Sequence, residues 1–156
     1  MKIRRYFLAL VYVLVLSAAN AQKSNNNILI RHFPVRQGIV QPFKQDVGAI
    51  SDFSGFITIL SRKAEVFALD SGKVLKTFFE NHAKYIIVKG KDDTVITYGN
   101  LRNVFFSEGD RIKKGDKIGL IKLDSQQKYI LELSFYGNSE SLSYQKYLDI
   151  LLSKSE

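Results

Sequence analysis

The sequence predicts an all-β fold class, a single curved antiparallel sheet with one short C-terminal helix. Three observations carry that expectation. Short runs of β-branched and aromatic residues recur every few positions from Gly38 onward, turn residues separate them, and only the final stretch changes to helical spacing. Close spacing of this kind suits antiparallel hairpins in one domain.

The first residues precede that pattern and have the layout of a secretory signal. Lys2, Arg4 and Arg5 form a cationic start, an uninterrupted apolar run extends from Tyr6 to Leu16, and Ala19-Asn20-Ala21 supplies the small residues a signal peptidase needs. Cleavage is expected after Ala21. The apolar run is shorter than the roughly 20 residues a membrane-spanning helix needs. The sequence therefore predicts export to the periplasm or cell envelope with no stable membrane span. Residues 22–32 read as a flexible leader, beginning with the polar stretch Gln22 to Asn27. A domain over residues 33–153 follows.

Within that domain, strands are expected at Gly38 to Phe43, Gly55 to Leu60, Glu65 to Leu69, Lys73 to Phe79, Lys84 to Lys89 and Thr94 to Tyr98. They continue at Val104 to Phe106, Lys117 to Leu123 and Lys128 to Tyr136. Turns fall at Asp70-Ser71-Gly72, Glu80-Asn81, Gly90 to Asp93, Gly109-Asp110, Gly115-Asp116 and Gly137-Asn138. Gly109-Asp110-Arg111-Ile112 recurs as Gly115-Asp116-Lys117-Ile118. Each Gly-Asp fits a tight turn in which glycine takes positive φ without a steric cost, and each Ile re-enters the core. Tyr144, Tyr147, Leu148, Leu151 and Leu152 recur at helical spacing and predict a terminal helix packed on the sheet.

The most informative strand is Tyr129-Ile-Leu-Glu-Leu-Ser-Phe-Tyr136. Successive side chains alternate between faces, so Tyr129, Leu131, Leu133 and Phe135 share one apolar face. Ile130, Glu132, Ser134 and Tyr136 share the other. The first face reads as core, and the second could line a groove.

Composition narrows the function. The chain carries 23 Lys and Arg against 15 Asp and Glu, a formal net charge of +8. Loss of Lys2, Arg4 and Arg5 with the signal would leave 20 against 15, about +5. The basic residues are scattered or interleaved with acids, as in Arg111 to Lys117, which argues against a nucleic-acid surface and leaves room for weak attraction to an anionic wall or membrane. Without cysteine there is no disulfide and no lipoprotein anchor, so an exported chain of this size relies on its hydrophobic core. No nucleophile motif or phosphate-binding glycine loop is present.

In order and spacing, these pieces resemble the LytM/lysostaphin-type family of zinc peptidoglycan endopeptidases, from about Phe33 to Leu148. Phe33 to Phe43 resembles that domain's first strand. Glu65-Val-Phe-Ala-Leu-Asp-Ser-Gly-Lys-Val74 resembles its V-x-A-x-x-x-G-x-V hairpin. Tyr85 to Lys89 and Thr94 to Leu101 follow, and Glu108 to Gly119 stands at the G-D-x-V-x-x-G-x-x-I-G position. The resemblance implies the lysostaphin/LytM fold, a barrel-sandwich-like motif. Active members carry H-x-x-x-D and H-x-H motifs, because a catalytic zinc typically takes three protein ligands and leaves one position open for water. Laid on this sequence, the first motif falls on Phe53 and Ile57 and the second on Ile130 and Glu132. A further family histidine, expected after Tyr98-Gly99, is replaced by Asn100. Of these five, Glu132 is the one residue able to bind a metal. The resemblance therefore implies a degenerate, noncatalytic member with neither metal nor cofactor. Phe53-Ser-Gly55 is similar to the aromatic-x-Gly of division-associated amidase activators.

Phe53, Ile57, Lys89, Tyr98, Asn100, Ile130 and Glu132 are thus the candidate groove residues. Phe53, Ile57 and Ile130 read equally as a collapsed, packed cleft or as a hydrophobic docking surface. Glu132 reads first as an ion pair, with Lys89 as candidate partner, and second as a direct partner contact. Tyr98 and Asn100 could read a partner's peptide or form a structural corner. His32 and His82 read as solvated surface residues, and Asp92-Asp93 as an exposed turn. The expected function is a binding module whose partner is a protein, such as an amidase or other wall hydrolase, or peptidoglycan itself. The rivals are a peptidoglycan metalloendopeptidase with displaced ligands, and a barrel-sandwich adaptor or carrier domain.

Overall fold

The computed structural model describes residues 28–41, 55–90, 93–136 and 144–154. Its strands are β1 (Ile28–Ile30), β2 (Gly38–Val40), β3 (Ile57–Ser61), β4 (Glu65–Phe67) and β5 (Gly72–Glu80). They continue as β6 (Ala83–Gly90), β7 (Val95–Val104), β8 (Arg111–Ile112), β9 (Lys117–Ile121) and β10 (Tyr129–Tyr136), and helix α1 (Tyr144–Lys154) follows. The described strands form one antiparallel sheet in the order β1-β2-β3-β10-β7-β6-β5-β8, with β9 bridging β4 and β7. The all-β expectation with a short terminal helix holds.

The chain's last strand, β10, lies at the middle of the sheet, between β3 and β7. Its alternation is the one the sequence predicts. Leu131, Leu133 and Phe135 are buried, whereas Ile130, Glu132 and Ser134 are half-buried and Tyr136 is exposed. Each of the three buried side chains contributes roughly 1.5–3 kcal/mol relative to exposure, which fixes the register, since a one-residue slip would put all of them into solvent.

Turn chemistry closes the hairpins. Asn81 and His82 both take positive φ, 49° and 61°, between β5 and β6, the conformation of a two-residue type I′ connection. The Gly-Asp repeat builds the same turn twice. Asp110 accepts the Ser107 amide at 2.7 Å and Asp116 accepts the Lys113 amide at 2.8 Å. Gly109 and Gly115 stand at φ 92° and 85°, and Ile112 and Ile118 are buried beyond them.

Helix α1 buries Tyr147, Leu148 and Leu151, with Tyr147 edge-on to Phe135 at 5.4 Å and 80°. Lys154 ties its end to Asp70 at 2.6 Å. No helix among the described residues is long and apolar enough to cross a membrane.

Two expectations change. Ile28–Ile30 pairs with β2 and Ile30 is buried, so part of the stretch assigned to the leader belongs to the sheet. The apolar residues of that short run read as leader because their partner strand was not evident. Val104 to Phe106 is not a separate strand: β7 continues through Leu101 to Val104 by exchanging β10 for β9. The signal segment, Phe53, Asp92 and the Gly137-Asn138 turn lie outside the described residues.

Candidate binding groove

The outer face of β10 is centred on Glu132, whose direct cross-strand neighbours are Thr58 on β3 and Gly99 on β7. Because Gly99 has no side chain, the residue one strand further can lie down over it. That residue is Tyr85 of β6. Its ring covers Gly99, its hydroxyl donates to Glu132 Oε2 at 3.4 Å, and its other side meets Phe78 of β5, stacked at 4.9 Å and 9°. Phe78 and Tyr85 are direct cross-strand partners. An aromatic shelf therefore runs from β5 to the carboxylate of β10, with Ile130 half-buried beside it.

Electrostatics follow from that enclosure. Burial raises the Glu132 carboxyl above its ordinary range, and the Tyr85 hydrogen bond opposes the shift in part. Burial, then the Glu132 charge and hydrogen bond, raise the Tyr85 phenol. A partly desolvated carboxylate on an aromatic floor can anchor an amide or cationic group of a bound peptide while the rings pack its apolar part. The side-chain hydrogen-bond partner of Glu132 among the described residues is the Tyr85 phenol, which its raised pKa keeps protonated.

These residues do not fit a family-type zinc site. Such a site needs three nitrogen, oxygen or sulfur ligands from the protein. Glu132 offers one, and beside it stand Thr58, Tyr85, Gly99 and Ile130. Among the described residues no three of His, Cys, Asp and Glu converge. His82 sits exposed in the β5–β6 turn, where its carbonyl accepts Lys122 Nζ at 2.9 Å, and His32 is exposed beside β1.

The predicted groove residues divide. Ile130 and Glu132 lie on the outer face together, as the alternation requires. Ile57 does not join them: it pairs with Leu133 on the core face and is fully buried, so Thr58 stands beside Glu132 in its place. Tyr98 is also core. It is fully buried between Leu133 and Ile86, and its hydroxyl accepts the Leu69 amide at 2.9 Å, with burial forcing its phenol far above the usual range. Asn100 is the corner at which β7 changes partners. It adopts φ 58°, donates from Nδ2 to the Ile130 carbonyl at 2.6 Å, and accepts the Lys122 amide at 2.9 Å.

Lys89 is not the partner of Glu132. Its register neighbours are Lys73 and Val95, and it pairs with Asp93 at 2.8 Å. The sequence shows that both side chains face outward, but the offset between β6 and β10 separates them by several residues. Phe78 and Tyr85 escaped sequence reasoning for the same reason. Alternation in Tyr85 to Lys89 places Tyr85 on the outer face, and only the register reveals what it covers.

The model of peptidase family M23 matches residues 54–143 of this chain. Among solved structures, lysostaphin in solution superposes with a TM-score of 0.58 at 19% identity, covering 83% of this chain and 52% of that one. The catalytic domain of lysostaphin from Staphylococcus simulans gives 0.53 at 18% identity, covering 80% of this chain and 94% of that domain. Pseudoalterin, a deep-sea M23 metalloprotease, gives 0.50 at 16% identity, covering 72% and 73%. These likenesses show the fold, and the chain spans about half the length of the full lysostaphin chain. No curated protein matches in sequence.

Proposed function

The chain belongs to peptidase family M23, and from that premise we propose that it is a noncatalytic binding module of the cell envelope, regulating or scaffolding a peptidoglycan hydrolase through the groove around Glu132. The observation that carries this reading is what surrounds Glu132: a tyrosine hydroxyl, a threonine, a glycine and an isoleucine, where a hydrolytic metal would need imidazoles. The family frame remains while the groove chemistry has become that of recognition. Such a module acts by binding one state of its partner better than another, and the difference in affinity sets the shift.

A photo-crosslinking residue at Ile130, introduced into the protein in its native envelope, tests the reading. Recovery of a wall hydrolase, lost on Glu132→Ala, supports it. Capture of secretion or assembly proteins alone would make the domain a structural adaptor. One zinc per chain in the purified, tag-free protein would restore the enzyme reading.

A further inference from the structure

The sheet register gathers cations that lie far apart in sequence. Lys73 of β5 is the direct cross-strand partner of both Arg111 of β8 and Lys89 of β6, so three basic side chains stand in a row across three adjacent strands. All three are exposed, and their neighbours Val74, Val88 and Ile112 point to the core, which puts the row on one face. Lys113 extends it, and together with Gly72 and Leu75 these residues line an open cleft of about 550 Å³.

Side chains directly opposed on neighbouring strands lie about 5 Å apart at Cβ, where like charges repel and destabilise the pairing. Asp93 offsets Lys89 through an exposed ion pair, an interaction worth little. Among the described residues, Lys73, Arg111 and Lys113 take part in no salt bridge. The fold thus holds a line of positive charge over a concave floor, in which Lys89 alone has a salt-bridge partner among the described residues. Four residue steps along β6, about 14 Å, separate Lys89 from Tyr85. The cleft is therefore distinct from the groove around Glu132, and its ligand is independent of the groove's partner.

We propose that this cleft binds a polyanionic chain bearing phosphates. A row spanning about 10 Å, two cross-strand spacings, calls for repeated charge and not a single small ion. A concave floor receives a chain and excludes the plane of a bilayer. A phosphate group presents several acceptor oxygens to donors arriving from different strands, and arginine with lysine is the pairing suited to it. A carboxylate offers two oxygens in one plane and meets fewer of those donors at once.

Binding of fluorescently labelled inorganic polyphosphate to the purified protein, followed by anisotropy, tests this. Saturable binding is expected, weakened at least tenfold by the double substitution Lys73→Gln with Arg111→Gln. Lys128→Gln, which alters an exposed lysine whose ammonium contacts Gln126, should change it less than twofold. The double variant should melt no lower than the parent, because a repulsion has been removed. The proposal is overturned by a smaller loss in the double variant, by an equal loss in Lys128→Gln, or by a lowered melting temperature that makes these cations structural. Tighter binding of polyglutamate, or of phosphatidylglycerol vesicles, than of polyphosphate overturns it as well.

Discussion

The ring of Tyr85 occupies the space that any side chain at Gly99 would need. A Cβ at position 99 would stand 2.5 Å from Tyr85 Cε1, 2.8 Å from Cδ1 and 3.3 Å from Glu132 Cβ. The glycine is therefore required by the neighbouring strand's aromatic and not by its own backbone angle. Gly99→Ala should lift the ring, break its contact with Glu132 and destabilise the fold by about 1–3 kcal/mol, the usual cost of overpacking. Thermal melting and the Tyr85 ring-proton shifts would read both effects. Unchanged shifts would mean the ring is not seated on Gly99.

Glu132 makes stability depend on pH with a definite sign. Burial raises its folded-state pKa above the ordinary value of 4.5, so the folded protein holds that proton more tightly than the unfolded chain. The ionised group therefore costs stability above its folded pKa, and the cost disappears as pH falls to the unfolded pKa. Glu132→Gln, which still accepts from Tyr85, should be at least as stable as the parent at pH 7, with the difference vanishing as pH falls through the ordinary carboxylate range. Tyr85→Phe removes the bond that lowers the carboxyl and should raise its titration midpoint further, at a stability cost of no more than about 1 kcal/mol for so long a contact. Carboxyl-carbon NMR titration follows this directly, and an unmoved midpoint would show that Tyr85 does not act on Glu132.

Tyr98 separates a folding role from a binding role. One of its two sequence readings places it in the groove, and that reading predicts that its loss would abolish partner binding without altering the melting temperature. Its buried hydroxyl instead satisfies the Leu69 amide, and Leu69 is itself fully buried. Tyr98→Phe should leave that N–H unpartnered at a cost of about 1–3 kcal/mol. Urea denaturation would show a lower midpoint with an unchanged slope. A variant of parental stability that no longer binds its partner would return Tyr98 to the groove.

What the sequence made legible was periodicity, and what it hid was register. Alternation in Tyr129 to Tyr136 assigned both faces of β10 correctly, and Gly109-Asp110 and Gly115-Asp116 announced two turns. Each of those signals is local. Glu132 and Lys89 were both placed outward on good grounds, yet their separation depends on how β6, β7 and β10 are offset. Lys89 stands opposite Val95, which faces Tyr136, whereas Glu132 stands opposite Gly99, and that register leaves no composition trace. Ile57 shows the same limit. Alignment to a motif marked it as a groove position, but pairing with Leu133 turns it into the core. The row of Arg111, Lys73 and Lys89 was invisible for the converse reason, since three scattered cations become neighbours only through two strand pairings.

Asn100 carries two structural duties that substitutions can take apart. One is its left-handed backbone at φ 58°, which lets β7 leave β10 and join β9. The other is the Nδ2 bond to the Ile130 carbonyl, which holds that corner against the central strand. Asn100→Gly keeps the backbone accessible and loses the side-chain bond, so it should cost about 1 kcal/mol. Asn100→Ala loses both and should cost about 2–3 kcal/mol, since alanine meets roughly 1–2 kcal/mol of steric penalty in this region. Chemical denaturation of the two variants gives the comparison. If glycine and alanine destabilise equally, the corner does not need the left-handed conformation. If the glycine variant keeps its stability but no longer captures the partner through Ile130, the amide of Asn100 is a contact and not a brace.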